Sequence, residues 1–257
     1  MSKSKTRLGN WQEEIAFEED KKKLQKALQS TGGLLSQQIL AKVQQHTVPC
    51  TLGQLGDVLQ YGVPFLFQNT SNDGALAIDM DDRILGPLGW KVNCSTTPSR
   101  EATLRSSWVV MPNPTGGATI SDPVCYGNKV LICSVAELAD PPVFLASEMK
   151  TPQSCSKFSK NQEVYFTPNT GIGSLWSFEY SNPEYRQDVE GQPINPTSPV
   201  VLKHVATNNF LATTNFHFTN DFGSENEICC ARLQTFASKS RTAPERSENY
   251  WRIVGAI

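Results

Sequence analysis

Apolar residues recur at helical spacing up to about residue 45, and after Pro49 they collect into short runs separated by turn residues. That change of period divides the chain into a helical arm, 1–45, and a β body, 46–257. In the arm, Asn10 is placed to cap a helix that opens Trp11-Gln12-Glu13-Glu14, with Glu13 reaching back as in a capping box. Glu13 and Glu14 also suit the positive end of the helix dipole. Further on, the order of charges offers the pairs Glu18–Lys22 and Glu19–Lys23. The apolar positions Trp11, Ile15, Leu24 and Leu28 form a stripe too thin to bury against a full core, so this helix is expected to be mostly solvated. Thr31-Gly32-Gly33 ends it, and Leu34 to Val43 forms a second short helix with Leu35, Ile39 and Val43 on one side.

The β body reads as three units of four strands. The first strand of each is Pro64-Phe65-Leu66-Phe67, Lys129-Val130-Leu131-Ile132 or Val200-Val201-Leu202-Lys203. The second is Ala75-Leu76-Ala77-Ile78, Val143-Phe144-Leu145-Ala146 or Phe210-Leu211-Ala212-Thr213, and all three share Leu-Ala. The third runs Lys91-Val92-Asn93-Cys94, Glu163-Val164-Tyr165-Phe166 and Glu227-Ile228-Cys229-Cys230. A tryptophan marks the fourth, at Trp108, Trp176 and Trp251. First and fourth strands are separated by similar spans: 42 residues from Leu66 to Trp108, 45 from Leu131 to Trp176 and 49 from Leu202 to Trp251.

Three such units, with no helical linkers between them, predict an all-β fold of the β-trefoil type, with repeats at about 50–114, 115–185 and 186–257. Closing the copies into a barrel removes the exposed strand edges that one unit would leave, and each tryptophan then buries its ring at an equivalent place. Two packed sandwiches are the other all-β arrangement open to this strand count. The extra length falls in segments rich in Pro, Gly and Ser at 86–89, 112–117, 182–199 and 237–249, read as long surface loops available to partners.

Charge narrows the choice of partner. Of the net −2, the first 45 residues carry +3 and the body carries −5, which argues against a nucleic-acid surface. No run approaches the roughly 20 apolar residues of a membrane helix, and Met1-Ser2-Lys3-Ser4-Lys5 is not followed by the apolar core of a signal peptide, so neither membrane nor secretion is expected. The seven cysteines include no CxxC pair and are read as free thiols of a cytosolic protein.

Candidate chemistry is sparse. His46, His204 and His217 show no paired-ligand spacing, and no nucleophile elbow, P-loop or dinucleotide fingerprint occurs. His204 reads as a structural histidine on a strand; pairing it with Cys229 or Cys230 for nucleophilic chemistry is opposed by the burial expected of at least one of those thiols. No enzyme activity, cofactor or metal is expected. The Gln-x-Trp signature of trefoil lectins is also absent, since Ser106, Ser174 and Asn249 stand two residues before the tryptophans.

Two resemblances extend this reading. Val201-Leu202-Lys203-His204, followed after five residues by Phe210-Leu211-Ala212 and closed by Tyr250-Trp251-Arg252-Ile253, resembles the MIR type of trefoil repeat, a binding or regulatory module. Arg7-Leu8-Gly9-Asn10-Trp11 with Glu13-Glu14 and Glu18-Glu19-Asp20, together with Tyr61-Gly62 and the run from Phe158 to Tyr165, is similar to a family of cilia- and flagella-associated proteins. That likeness implies a MIR-like trefoil with a short N-terminal arm. It further implies a non-catalytic microtubule inner protein of the axoneme, bound to α/β-tubulin and neighbouring inner proteins in the doublet lumen. Arg7, Leu8, Gly9, Asn10 and Trp11 become the candidate contact residues. Two alternatives stay open: the arm as a clasp on its own body rather than an anchor on a partner, and the chain as a cytosolic MIR-like ligand- or protein-binding module.

Overall fold

A computed structural model describes residues 11–30, 32–86, 89–233 and 244–256. The chain separates into two compact units, Met1–Gln45 and His46–Ile257. The first holds α1 (Trp11–Ser30) and most of α2 (Leu35–His46). Helix α1 stops where Gly32 takes φ +69° and the Gly33 N–H donates to the Leu28 carbonyl, the glycine-dependent C-terminal motif that Gly32-Gly33 predicts. Of the two expected ion pairs on α1, Glu18–Lys22 is present at 4.0 Å; Lys23 instead meets Asp20 at 3.4 Å, one residue nearer than Glu19 would require and on an adjacent rung of the same face.

The second unit is all β. Its strands are β1 (Phe65–Asn69), β2 (Ala75–Gly86), β3 (Gly89–Thr97), β4 (Ser107–Pro112), β5 (Lys129–Ser134), β6 (Phe144–Ser147), β7 (Gln162–Thr167), β8 (Trp176–Tyr180), β9 (Val200–His204), β10 (Leu211–Asn220), β11 (Gly223–Cys230) and β12 (Tyr250–Val254). Each predicted apolar run overlaps one of them. The ladder β11-β3-β2-β1-β12-β9-β8-β5-β6-β7 closes where Glu163 on β7 pairs with Cys229 on β11, so ten strands form a continuous circuit. β4 bridges β1 and β5, and β10 flanks β11. Closure excludes the two-sandwich alternative, which would leave separate sheets with free edges.

Within this circuit the pairings repeat three times. β1, β4, β5, β8, β9 and β12 make a closed inner ring, and the hairpins β2–β3, β6–β7 and β10–β11 meet one another through their second strands. The tryptophans hold ring and hairpins together. All three are fully buried, and their indole N–H groups donate to the carbonyls of Leu76 (3.0 Å), Leu145 (2.8 Å) and Leu211 (3.1 Å). These leucines are those of the shared Leu-Ala pairs. A buried indole leaves an orphan donor unless a partner is supplied, so each repeat fixes its fourth strand to its second by the same bond. Phe67 stacks on Trp251 and Phe166 on Trp108, at 4.8 and 4.4 Å between centroids, completing one continuous apolar core.

Two hairpins run longer than the sequence suggests. β2 continues past Ile78, crosses a register break before Arg83, and pairs on to Gly86 opposite Gly89, so both ends of the expected loop at 86–89 belong to strands, and residues 87–88 between them lie outside the described residues. The cause is local: Arg83, Ile84 and Leu85 pair with Val92, Lys91 and Trp90, but on the β2 side residues 81–85 are all exposed, so no hydrophobic alternation announces the extension, although Val92 opposite is buried. β10–β11 shows the same break between Thr213 and His217, and ends with Asp221 and Phe222 between Asn220 and Gly223, the last at φ +115°.

Candidate functional site

Helix α1 carries an apolar edge of its own. At about 100° per residue, Phe17, Leu24 and Leu28 fall within a narrow stripe, whereas Ile15 faces nearly opposite Leu24. Exposure of Phe17 and Leu24 is 72% and 62%, and Leu28 and Ile15 are exposed as well. The expected solvated helix is therefore present, with a different stripe: Phe17 replaces Ile15 as the partner of Leu24 and Leu28. Arg7, Leu8, Gly9 and Asn10 lie outside the described residues, and Trp11 is the first residue of α1.

The polar chemistry of the barrel is directed inward. His204, fully buried against Trp176, donates from Nε2 to the Gly173 carbonyl at 3.0 Å, which leaves Nδ1 to accept from the Thr207 hydroxyl at 2.9 Å. Burial pulls its pKa below the ordinary 6.5, partly countered by the Gly173 bond, so the imidazole is neutral. Burial likewise pushes the Cys229 thiol up to about 11 and raises Cys230 further. Neutral, buried thiols and an imidazole whose nitrogens are engaged by Gly173 and Thr207 give no activated nucleophile, so the Cys–His pairing weighed from sequence finds no support.

A second buried group lies where hairpin β10–β11 reaches β2. Glu225, fully buried, takes a bidentate bond from Arg105 at 2.8 and 3.2 Å, with further donors from Ser95 (2.6 Å) and Asn220 (2.7 Å). Arg105 Nε donates to the Ile78 carbonyl at 2.9 Å, and Phe222 lies 3.8 Å over the guanidinium. Burial alone would raise the Glu225 carboxyl, but the bonds and charge of Arg105, with those of Ser95 and Asn220, outweigh it and hold the group below its ordinary range. Phe222 also meets the buried ring of His46 at 5.9 Å, and His46, Asp79 and Asp81 bring one donor atom each to within 4.8 Å of one another. None of this was legible in the sequence: Arg105 and Glu225 are 120 residues apart, and each occurs in a segment that reads as surface.

The loops read as adaptable are in part built into the barrel. In 182–199, Ile194 is buried and exchanges backbone bonds with Leu59 and Val124, while Tyr126 does the same with Gln192 and Gly191. Arg186 forks onto the buried Glu245 at 3.1 and 2.7 Å. That loop therefore closes one end of the ring instead of standing free. The segment 112–117 is an exposed turn in which Asn113 Oδ1 accepts from the Thr115 N–H and hydroxyl. Of 237–249, residues 237–243 lie outside the described residues. An aromatic surface patch that the sequence did not announce joins β10 to the 156–161 loop: Phe158 stacks near Phe216 and Phe218 at 6.2 and 6.1 Å, with Phe158 and Phe216 exposed.

The closed barrel is shared with proteins of known structure. An SDF2-like protein from Arabidopsis thaliana superposes with a TM-score of 0.60 at 18% identity, over 77% of this chain and 94% of that one. A chain of the Saccharomyces cerevisiae protein O-mannosyltransferase Pmt1–Pmt2 complex gives 0.51 at 13% identity, over 82% of this chain and 26% of that one. At these identities the likeness concerns the fold. In sequence, cilia- and flagella-associated protein 161 of Danio rerio is 27% identical over 268 aligned positions, which cover 96% of this chain and 85% of the relative. Residues 88–256 match the model of the cilia- and flagella-associated protein 161-like domain, a span that takes in the ten strands from β3 to β12. The chain thus belongs to the cilia- and flagella-associated protein 161-like family.

Proposed function

We propose that this protein is a non-catalytic structural component of the ciliary or flagellar axoneme, a microtubule inner protein that binds α/β-tubulin and neighbouring inner proteins in the doublet lumen and stabilises the doublet. In this reading the barrel unit is a β-trefoil of the MIR type, with repeats at about 50–114, 115–185 and 186–257, and 1–45 is its binding arm. The threefold recurrence of ring, hairpin and Trp-to-Leu bond supports the trefoil. Membership of a cilia- and flagella-associated family supports the location.

The observation that carries the binding role is the exposed stripe of Phe17, Leu24 and Leu28 on α1. An amphipathic helix with unburied apolar side chains is suited to lie in a partner's groove. Arg7 and Trp11, residue types that dominate interface energetics, precede it. Axonemal fractionation tests the proposal. The protein should stay with the doublets through high-salt washing and appear in solution only when the microtubule wall is dissolved; ready release by salt would overturn it. Removing residues 1–10 should weaken microtubule association, and removing 1–30 with the stripe should abolish it, in both cases without lowering the melting temperature, whereas lost thermal stability would make the arm a clasp on its own body.

A further inference from the structure

We propose that the barrel unit holds a divalent cation of the zinc class, bound by His46, Asp79 and Asp81. The donor atoms converge from two places in the chain, His46 at the first residue of the unit and the two aspartates at the register break of β2, and all lie within 4.8 Å of one another. Each contributes a different property. His46 is only 5% exposed, and its imidazole is fixed by the Phe222 ring. Asp79 is half-buried, its Oδ1 oriented by the Asp81 N–H at 3.1 Å. Asp81 is exposed and can swing inward, which leaves the approach open to an ion arriving from solvent.

The bulge produces this arrangement. In a regular strand residues 79 and 81 would already share a face, but pairing with β3 would commit the backbone between Ile78 and Arg83; the break releases it, and the Asp81 N–H turns to the Asp79 carboxylate instead. Two carboxylates held this close repel, and a cation between them reverses the sign of that interaction. One imidazole with two carboxylates is a mixed nitrogen and oxygen set. It suits zinc, which accepts both at ~2.0–2.2 Å, better than calcium or magnesium, which take oxygen alone. Tetrahedral zinc places its ligands roughly 3.4 Å apart, closer than the 4.8 Å within which the three donor atoms now lie, so the set tightens on binding and a water completes the fourth position. The ion would tie the start of the barrel unit to hairpin β2–β3.

The test uses the full chain, stripped with a chelator and titrated with zinc chloride. One saturable site is expected by calorimetry, with a rise in melting temperature of about 5–10 °C at a hundredfold excess over the dissociation constant. Asp81→Asn should weaken binding by about tenfold or more while leaving the metal-free protein as stable as before, because Asp81 is exposed; Asp79→Asn should do the same to the affinity. Cobalt as a spectroscopic substitute should give visible ligand-field bands without the intense near-ultraviolet thiolate band, which separates this site from binding by free cysteines. Absence of a saturable site, zinc affinity in either asparagine variant unchanged from that of the unsubstituted protein, or a thiolate band would each overturn the proposal and leave the three side chains as a hydrogen-bonded cluster.

Discussion

Replacing Arg105 by Met isolates the role of the buried ion pair. The substitution keeps most of the side-chain volume and removes five donors, of which two serve Glu225 and one the Ile78 carbonyl. Glu225 stays fully buried with only Ser95 and Asn220 to solvate its charge. Breaking a buried pair from one side costs about 3–5 kcal/mol, which for a unit of this size lowers the melting temperature by roughly 6–20 °C. Arg105→Met/Glu225→Met removes the stranded charge and should recover most of the loss. The pH dependence supplies a sign. In the natural protein the Glu225 carboxyl sits below its ordinary 4.5, so its contribution is present above that pH and is lost as pH falls through the folded value. Without Arg105, burial prevails and the carboxyl titrates above 4.5; protonation then relieves the folded state. The cost of Arg105→Met should therefore shrink as pH falls from 7 to 5. Urea unfolding followed by tryptophan fluorescence at both pH values reads each quantity. A single-mutant cost below about 1 kcal/mol, a double mutant worse than the single, or a cost that grows with acid would refute the reasoning.

Three further outcomes follow from the core. Trp108→Phe and Trp176→Phe should each lower stability by about 1–3 kcal/mol, since the Leu76 and Leu145 carbonyls lose an indole donor. Trp251→Phe should cost less of this bond energy, because Asn249 Nδ2 also donates to the Leu211 carbonyl at 3.2 Å; matched urea curves compare them. His204 has a folded pKa below 6.5, so its neutral form favours the native state above that pH and the advantage is lost as pH falls beneath it; His204→Gln should flatten the stability profile between pH 7 and 5.5. Native thiol labelling at pH 7.5 should modify Cys50, Cys125 and Cys155, which are partly exposed, and spare Cys94, Cys133, Cys229 and Cys230 until the protein unfolds; rapid labelling of either Cys229 or Cys230 would contradict their burial.

Much of the barrel can be read along the chain because its rules are local. Apolar runs bounded by turn residues locate twelve strands, and the repeated Leu-Ala and Trp reveal that the same unit occurs three times. What escaped is whatever lacks an apolar signal. The outer halves of β2 and β10 are exposed ribbons, and their pairing depends on a partner strand already held in place by the core. The loop 182–199 looked free because four prolines interrupt it, yet one buried residue, Ile194, anchors it to both Leu59 and Val124.

The amino-acid sequence alone determined the division into helices and strands, the threefold repeat, the solvated character of α1 and the family, since each rests on composition and spacing within a few tens of residues. Only the tertiary structure decided which polar groups meet. Arg105 finds Glu225, and His46 finds Asp79 and Asp81, because closing the ring brings hairpins from distant parts of the chain to one end. A charged residue reads as solvated until its partner is known, as burying it is unfavourable alone and acceptable only in company. Pattern along the chain records what each segment must hide from water; pairing across the fold determines what it does with the charges left behind.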